Sequence, residues 1–178
     1  GSASGLSAGM PVTTASGVIG QIVTCSATTS TVRLLSDESS SISAMVQSSR
    51  AQGMLEGSSS GEVRLELVST GQEVAVGDVI VTSGLGGVFP KGLPIGEVAS
   101  VTNNPGDLYL DIVVDLYADT TRSEEVLVIT SITEDQRATA EDISEADAQE
   151  HGTTTGSDAQ ADDQESDAGS TSDESQAE

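Results

Sequence analysis

The chain has 178 residues, with 29 acidic against 6 basic side chains and a formal charge of −23. That charge repels phosphates, which excludes nucleic acid as a partner and disfavours anionic lipid surfaces. One cysteine excludes an internal disulfide, and no run reaches the roughly 18 apolar residues needed to cross a bilayer.

Residues 1–8 are small and polar and open with Gly1-Ser2, the look of a cloning scar or linker. Met10 to Thr14 reads as a short strand, with Pro11 suited to a first or edge position. The Ser16-Gly17 turn leads into Val18 to Thr24, a strand with Gly20 inside it; Cys25 follows as a small core or edge residue. Val32 to Leu35 is next, closed by Asp37. Ser41 to Gln47 alternates, with Ile42, Ala44 and Val46 on one face. Gln52 to Glu56 is short. Glu62 to Val68 alternates most cleanly, with Val63, Leu65 and Leu67 facing a core and Glu62, Arg64 and Glu66 facing water. After a connector at Gln72 to Val76, the strands Val79 to Ser83 and Leu93 to Val101 flank a glycine-rich loop. The Asn103-Asn104-Pro105-Gly106 turn precedes Leu108 to Leu116, where Leu108, Leu110, Ile112, Val114 and Leu116 share a side. Val126 to Ile129 has no polar face and reads as buried on both sides.

Beyond Thr130 the composition changes. Residues 131–178 hold 15 acids, one arginine, two isoleucines and no Phe, Tyr, Val or Leu. They cannot bury enough apolar surface to offset the entropy of ordering, so 131–178 reads as a disordered acidic tail. Thr133-Glu134-Asp135-Gln136 has the form of a capping box, but the apolar residues after it are too sparse for a stable helix.

An internal echo crosses the strands. Val12-x-Thr14 is followed by Gly17 and Gly20-Gln21-Ile22-Val23. Val79-Ile80-Val81-Thr82 is followed by Gly84 and, after a longer loop, by Gly96-Glu97-Val98. Both read as strand, glycine corner, strand with an internal glycine, which predicts two all-β units built alike. The division reads as a first barrel over 9–68, either sharing strands with the second or completed by 107–130, and a second over 69–130. Gly17, Gly20, Gly77, Gly84, Gly86, Gly87, Gly92 and Gly96 are the expected turn and bulge glycines.

The stretch Thr82-Ser83-Gly84-Leu85-Gly86-Gly87-Val88-Phe89-Pro90-Lys91-Gly92-Leu93-Pro94-Ile95-Gly96 resembles the signature of the MreC family of bacterial rod-shape proteins. Gly9-Met10-Pro11-Val12, Gly17-Val18-Ile19-Gly20-Gln21-Ile22-Val23, Val32-Arg33-Leu34-Leu35-Ser36-Asp37 and Gly53-Met54-Leu55-Glu56-Gly57 fit the same pattern, in order, from about Gly9 to Ile129. The resemblance implies two small packed six-stranded β-barrels, with an anchor and a coiled coil upstream. It implies a place outside the cytoplasmic membrane, in support of peptidoglycan synthesis during elongation and of cell shape. The implied partners are the elongation-class penicillin-binding transpeptidase, MreD, MreB and RodA, with self-association as a further option.

The residues themselves offer little chemistry. The only histidine, His151, lies in the acidic segment, where no fold holds it between a nucleophile and a carboxylate, so a serine-protease site is rejected and Ser83 is a turn serine. No Cys/His cluster or Ca²⁺ loop is present, and Asp162, Asp163 and Asp167 read as a solvated charge run. The glycines from 84 to 92 lack the helix and Lys-Ser/Thr ending of a phosphate cradle. Lys91, the only lysine, lacks the Met or Ala flanks of a carrier lysine and reads as a solvated loop residue. Phe89 either plugs a barrel end or projects as an interface anchor. No catalytic residue, metal or cofactor is expected. What remains is a binding module, with Leu85, Val88, Phe89, Pro90 and Lys91 as candidate partner contacts. The alternative is a barrel-type adaptor of an envelope transport or secretion assembly, a comparison that Glu73-Val74-Ala75-Val76-Gly77-Asp78-Val79-Ile80 suggests.

Overall fold

The computed structural model describes residues 1–133 and 136–150, with the side chain of Glu150 left aside. His151, Asp162, Asp163 and Asp167 lie outside the described residues. Ten strands and one α-helix follow in order: β1 Pro11–Thr13, β2 Val18–Cys25, β3 Ser30–Leu34, β4 Ser41–Val46, β5 Gln52–Gly57, β6 Val63–Glu66, β7 Val79–Thr82, β8 Pro94–Thr102, β9 Asp111–Leu116, β10 Leu127–Val128 and α1 Ala140–Glu150.

All ladders are antiparallel, and they form two sheets. Six strands close into a barrel in the order β4-β5-β6-β9-β8-β7, and four form an open sheet in the order β10-β1-β2-β3. One six-stranded barrel is therefore present, while the second expected barrel is an open four-stranded sheet. The barrel takes strands from both sides of position 68. It runs from β4 to β9 without a break in the chain, because the β4–β5–β6 meander bridges β7 to β9. Closure leaves the barrel no free edge, whereas β3 keeps one.

The echo in the sequence is an echo in structure. Gly20 sits between Val12 and Leu34, and Gly96 between Ile80 and Leu116. The β1–β2 ladder jumps from Val12↔Gly20 to Thr13↔Val18, bulging at Ile19. The β7–β8 ladder jumps from Ile80↔Gly96 to Val81↔Pro94, bulging at Ile95. A second bulge falls at Val23 in one unit and Ala99 in the other. Leu35 N–H donates to Ile19 O at 2.9 Å, as Tyr117 N–H does to Ile95 O at 3.0 Å. Both internal glycines are required by close approach: a Cβ would stand 1.8 Å from Arg33 O at Gly20 and 2.1 Å from Asp115 O at Gly96.

The main core fills the barrel with inward residues such as Ala44, Leu55, Leu65, Ile80, Val98 and Ile112. Each buried aliphatic side chain contributes about 1.5–3 kcal/mol. Val18 of β2 and Leu35, just past β3, join this core. In return Ala118, just past the barrel, joins Val12, Ile19 and Ile22 in the smaller core of the sheet. Cys25 borders that smaller core, with its Sγ 3.2 Å from Leu6 O.

Four further expectations need correction. Leu108 does not share the inward side of β9: it lies before the strand and is 76% exposed. Leu67 does not continue the inward face of β6: its φ of 63° turns the chain, leaving it 55% exposed and giving the core position to Val68. The apolar run at Val126 to Ile129 is no buried strand. Its two-residue β10 lies on the rim of the open sheet, with Leu127 67% exposed. The expected disordered acidic tail over 131–178 is corrected only where α1 occupies 140–150; positions 151–178 lie outside the described residues. The start of α1 is not Thr133-Gln136, although the Gln136 side chain does accept from Thr133 N–H at 3.0 Å. The helix is capped one motif later. Thr139 Oγ1 accepts from Asp142 N–H at 3.3 Å, and Asp142 Oδ2 accepts from Thr139 N–H at 2.8 Å. This reciprocal box, with Glu141 and Asp142 in the first turn, suits the positive end of the helix.

Candidate functional site

The loop between β7 and β8 carries the family-like motif, and Thr82 pins it. Thr82 O accepts from Gly92 N–H at 2.8 Å, and its hydroxyl donates to Pro90 O and accepts from Leu93 N–H at 2.9 Å. Ser83 is fully buried, its N–H donating to Ser43 O and its hydroxyl accepting from Leu85 N–H at 3.2 Å. It is a turn residue tied to β4. Gly77, Gly84, Gly86, Gly87 and Gly92 have positive φ, while Gly17, like Gly20 and Gly96, is a close-approach glycine: its Cβ would stand 2.7 Å from Pro94 O.

The five candidate contact residues separate. Phe89 is turned inward, 6% exposed, and joins the barrel core, so the plug is the arrangement observed. Pro90 is buried beside it. Val88 is 37% exposed at the tip and Leu85 is half-buried. Leu85 borders a groove of about 240 Å³ with Met54, Leu67, Tyr109 and two residues of α1, Ala146 and Gln149.

Lys91 is not solvated. Its Nζ donates to both carboxylate oxygens of Asp142, at 2.7 and 2.6 Å, and its N–H donates to Gln136 O at 2.7 Å. Arg50, in the β4–β5 turn, donates to the same carboxylate and to Glu145 at 3.2 Å. Asp142 is fully buried. Burial pushes its carboxyl up, but the Lys91 ammonium and the Thr139 N–H and hydroxyl outweigh this and hold it below the ordinary carboxylate range. Glu145, then Asp142, raises the Arg50 guanidinium further. Sequence reading missed this cluster because Arg50, Lys91 and Asp142 lie 41 to 92 positions apart; the local signal was a second capping box, Thr-x-x-Asp at Thr139.

A concavity of about 660 Å³ lies elsewhere on the barrel and includes Thr70, Glu73, Val74 and Asp78. Its Asp78 carboxylate is used locally, accepting from Ala75 N–H at 2.8 Å. The arrangement can present surfaces and grooves to other molecules.

The family model described as "Rod shape-determining protein MreC, barrel core" matches residues 1–130. The cell shape-determining protein MreC of Escherichia coli (strain K12) is 37% identical over 102 residues, which is 57% of this chain and 28% of that protein. A crystal structure of MreC from Pseudomonas aeruginosa superposes with a TM-score of 0.67 at 32% identity, covering 72% of this chain and 84% of that one. A chain from the complex between penicillin-binding protein PBP2 and MreC from Helicobacter pylori shares the fold with a TM-score of 0.57 at 19% identity, over 66% of this chain and 74% of its own. The chain spans between 28% and 38% of the length of the curated relatives it matches.

Proposed function

The chain belongs to the MreC family, and on that premise we propose that it is a non-catalytic scaffold of the cell-wall elongation machinery. It works on the extracytoplasmic face of the cell membrane, maintaining cell shape by binding and organising peptidoglycan synthases. The observation that carries this is the family match over the whole barrel-and-sheet region, residues 1–130. Its principal partner is an elongation-class penicillin-binding transpeptidase, a reading supported by the shared fold with a chain from the PBP2–MreC complex. MreD, MreB and RodA are the further partners this reading entails.

On the barrel, the exposed part of the glycine loop, Leu85 and Val88, is the proposed contact, with Lys91 at its border. Phe89 and Pro90 shape the loop from beneath. Partly exposed apolar residues on a rigid loop desolvate at little conformational cost, which is what an interface anchor requires. The test is binding of the purified chain to a purified elongation-class transpeptidase by calorimetry. Saturable binding that weakens at least tenfold in the Leu85→Asp/Val88→Asp double variant is the expected result. Absence of binding by the unaltered chain would remove the scaffold reading, and unchanged affinity in the double variant would move the contact off this loop.

A further inference from the structure

The way α1 meets the barrel is unusual for a helix on a protein surface. Its contact stripe is Asp142, Glu145, Ala146 and Gln149, the i, i+3, i+4 and i+7 positions, while its one large apolar residue, Ile143, is 49% exposed. An amphipathic helix normally buries its apolar side. Here the polar side is held, by ion pairs and hydrogen bonds.

The barrel supplies a matching cradle. Lys91 and Arg50 converge on the Asp142 carboxylate. Gln52 donates from Nε2 to Asp142 O at 2.8 Å and from its backbone N–H to Gln149 Oε1 at 2.8 Å. The cradle thus reads the first helical turn twice, through a carboxylate and through a carbonyl. Gly84 belongs to it as well: a Cβ there would stand 2.9 Å from the Lys91 side chain and 3.0 Å from Ala138 N, so the glycine lets the incoming segment lie close.

One atom is not served. Gln52 Oε1 is buried and has no hydrogen-bond partner, the single such side-chain atom among the described residues. Rotating the amide by 180° would set Oε1 against Asp142 O and gain nothing. A buried acceptor without a donor keeps its desolvation penalty with nothing to offset it. The chain's own helix therefore fills the cradle while leaving one of its groups unmet.

We propose that Arg50, Gln52 and Lys91 form a docking site for the first turn of an acidic helix, filled here by α1 and open in exchange to a Thr/Ser-x-x-Asp-capped acidic helix of a partner protein. A helix that also brings a donor to Gln52 Oε1 satisfies the site more fully than α1 and displaces it. Because the contact is charge-assisted, salt weakens the hold on α1 and on an incoming helix alike, so the extra donor to Gln52 Oε1 decides between them, and exchange does not require the barrel to open.

A peptide of residues 136–150 serves as the probe, added to the 178-residue chain and followed by amide chemical shifts. In the Asp142→Asn chain, whose own helix is unlocked, the peptide shifts the Lys91 and Gln52 amides, with at least tenfold tighter binding than to the unaltered chain. A peptide carrying the same Asp142→Asn change shifts neither. Adding Lys91→Met to the Asp142→Asn chain removes the binding, and unchanged shifts across β5 and β6 show that the barrel remains folded. Equal affinity for both chains, shifts located elsewhere, retained binding after Lys91→Met, or no shift at millimolar peptide would each overturn the assignment.

Discussion

The two halves of the strand pattern make an instructive pair. β1–β2–β3 and β7–β8–β9 carry the same two bulges and the same internal glycine pressed against a neighbouring carbonyl. One ends as an open sheet and the other as a closed barrel. The difference lies in what meets their outer edges. β4–β5–β6 bridges β7 to β9 and closes the ring, whereas the two residues of β10 cover one edge of the first unit and β3 keeps the other free. Bulged, twisted strands are competent to close, and whether they do so is decided by the strands available to complete the circuit.

That contrast can be tested from its strongest consequence downward. Phe89 seals the barrel beside Val18 and Leu35 from the sheet. Phe89→Ala lowers stability by about 4 kcal/mol, the range of buried aromatic truncations, with barrel and sheet melting together in urea. Two separate transitions would break the idea that the units share a core. A pair of glycine variants sharpens it. Gly96→Ala costs about 3 kcal/mol, because β9 is held from both sides, while Gly20→Ala costs about half as much, because β3 moves outward at its free edge. Equal losses by chemical denaturation would mean that closure gives no added rigidity.

The smallest effect concerns α1. The Asp142 carboxyl is held below its ordinary range in the folded chain, so its contribution is complete above the unfolded value of roughly 4 and fades as pH falls from there toward the folded value. Amide protection of residues 140–149 is therefore lost progressively below about pH 4 while that of β4–β9 persists, a separation that hydrogen exchange resolves. Joint loss would tie the helix to the barrel's global stability.

Strands were legible where alternation meets a one-sided core. Val63 and Leu65 enter the barrel while Arg64 faces out to Glu62 and Asp111. Pairing was not legible, because alternation states which face a residue takes and says nothing of which strand lies beside it. Leu67 escaped because a single left-handed residue reverses the alternation. Leu127 was misread because a short rim strand leaves apolar residues in water that a central strand would bury. The Lys91–Asp142 contact was hidden by distance in sequence, and α1 by its polar contact stripe, which leaves no apolar period to detect.

The pairing of β1 with β10 has a mechanical consequence. Both strands that bound the barrel-and-sheet region lie side by side, paired through Val12↔Val128 and Thr13↔Leu127, with Ile129 N–H donating to Pro11 O at 3.0 Å. A pull on the far end of the chain first peels away the salt-bridged helix, then unzips this short junction, and only afterwards strains the ring. Once the helix has let go of Arg50, Gln52 and Lys91, the load passes through the β1–β10 junction before it reaches the cylinder, so the outer ties yield in sequence while the ring keeps its shape.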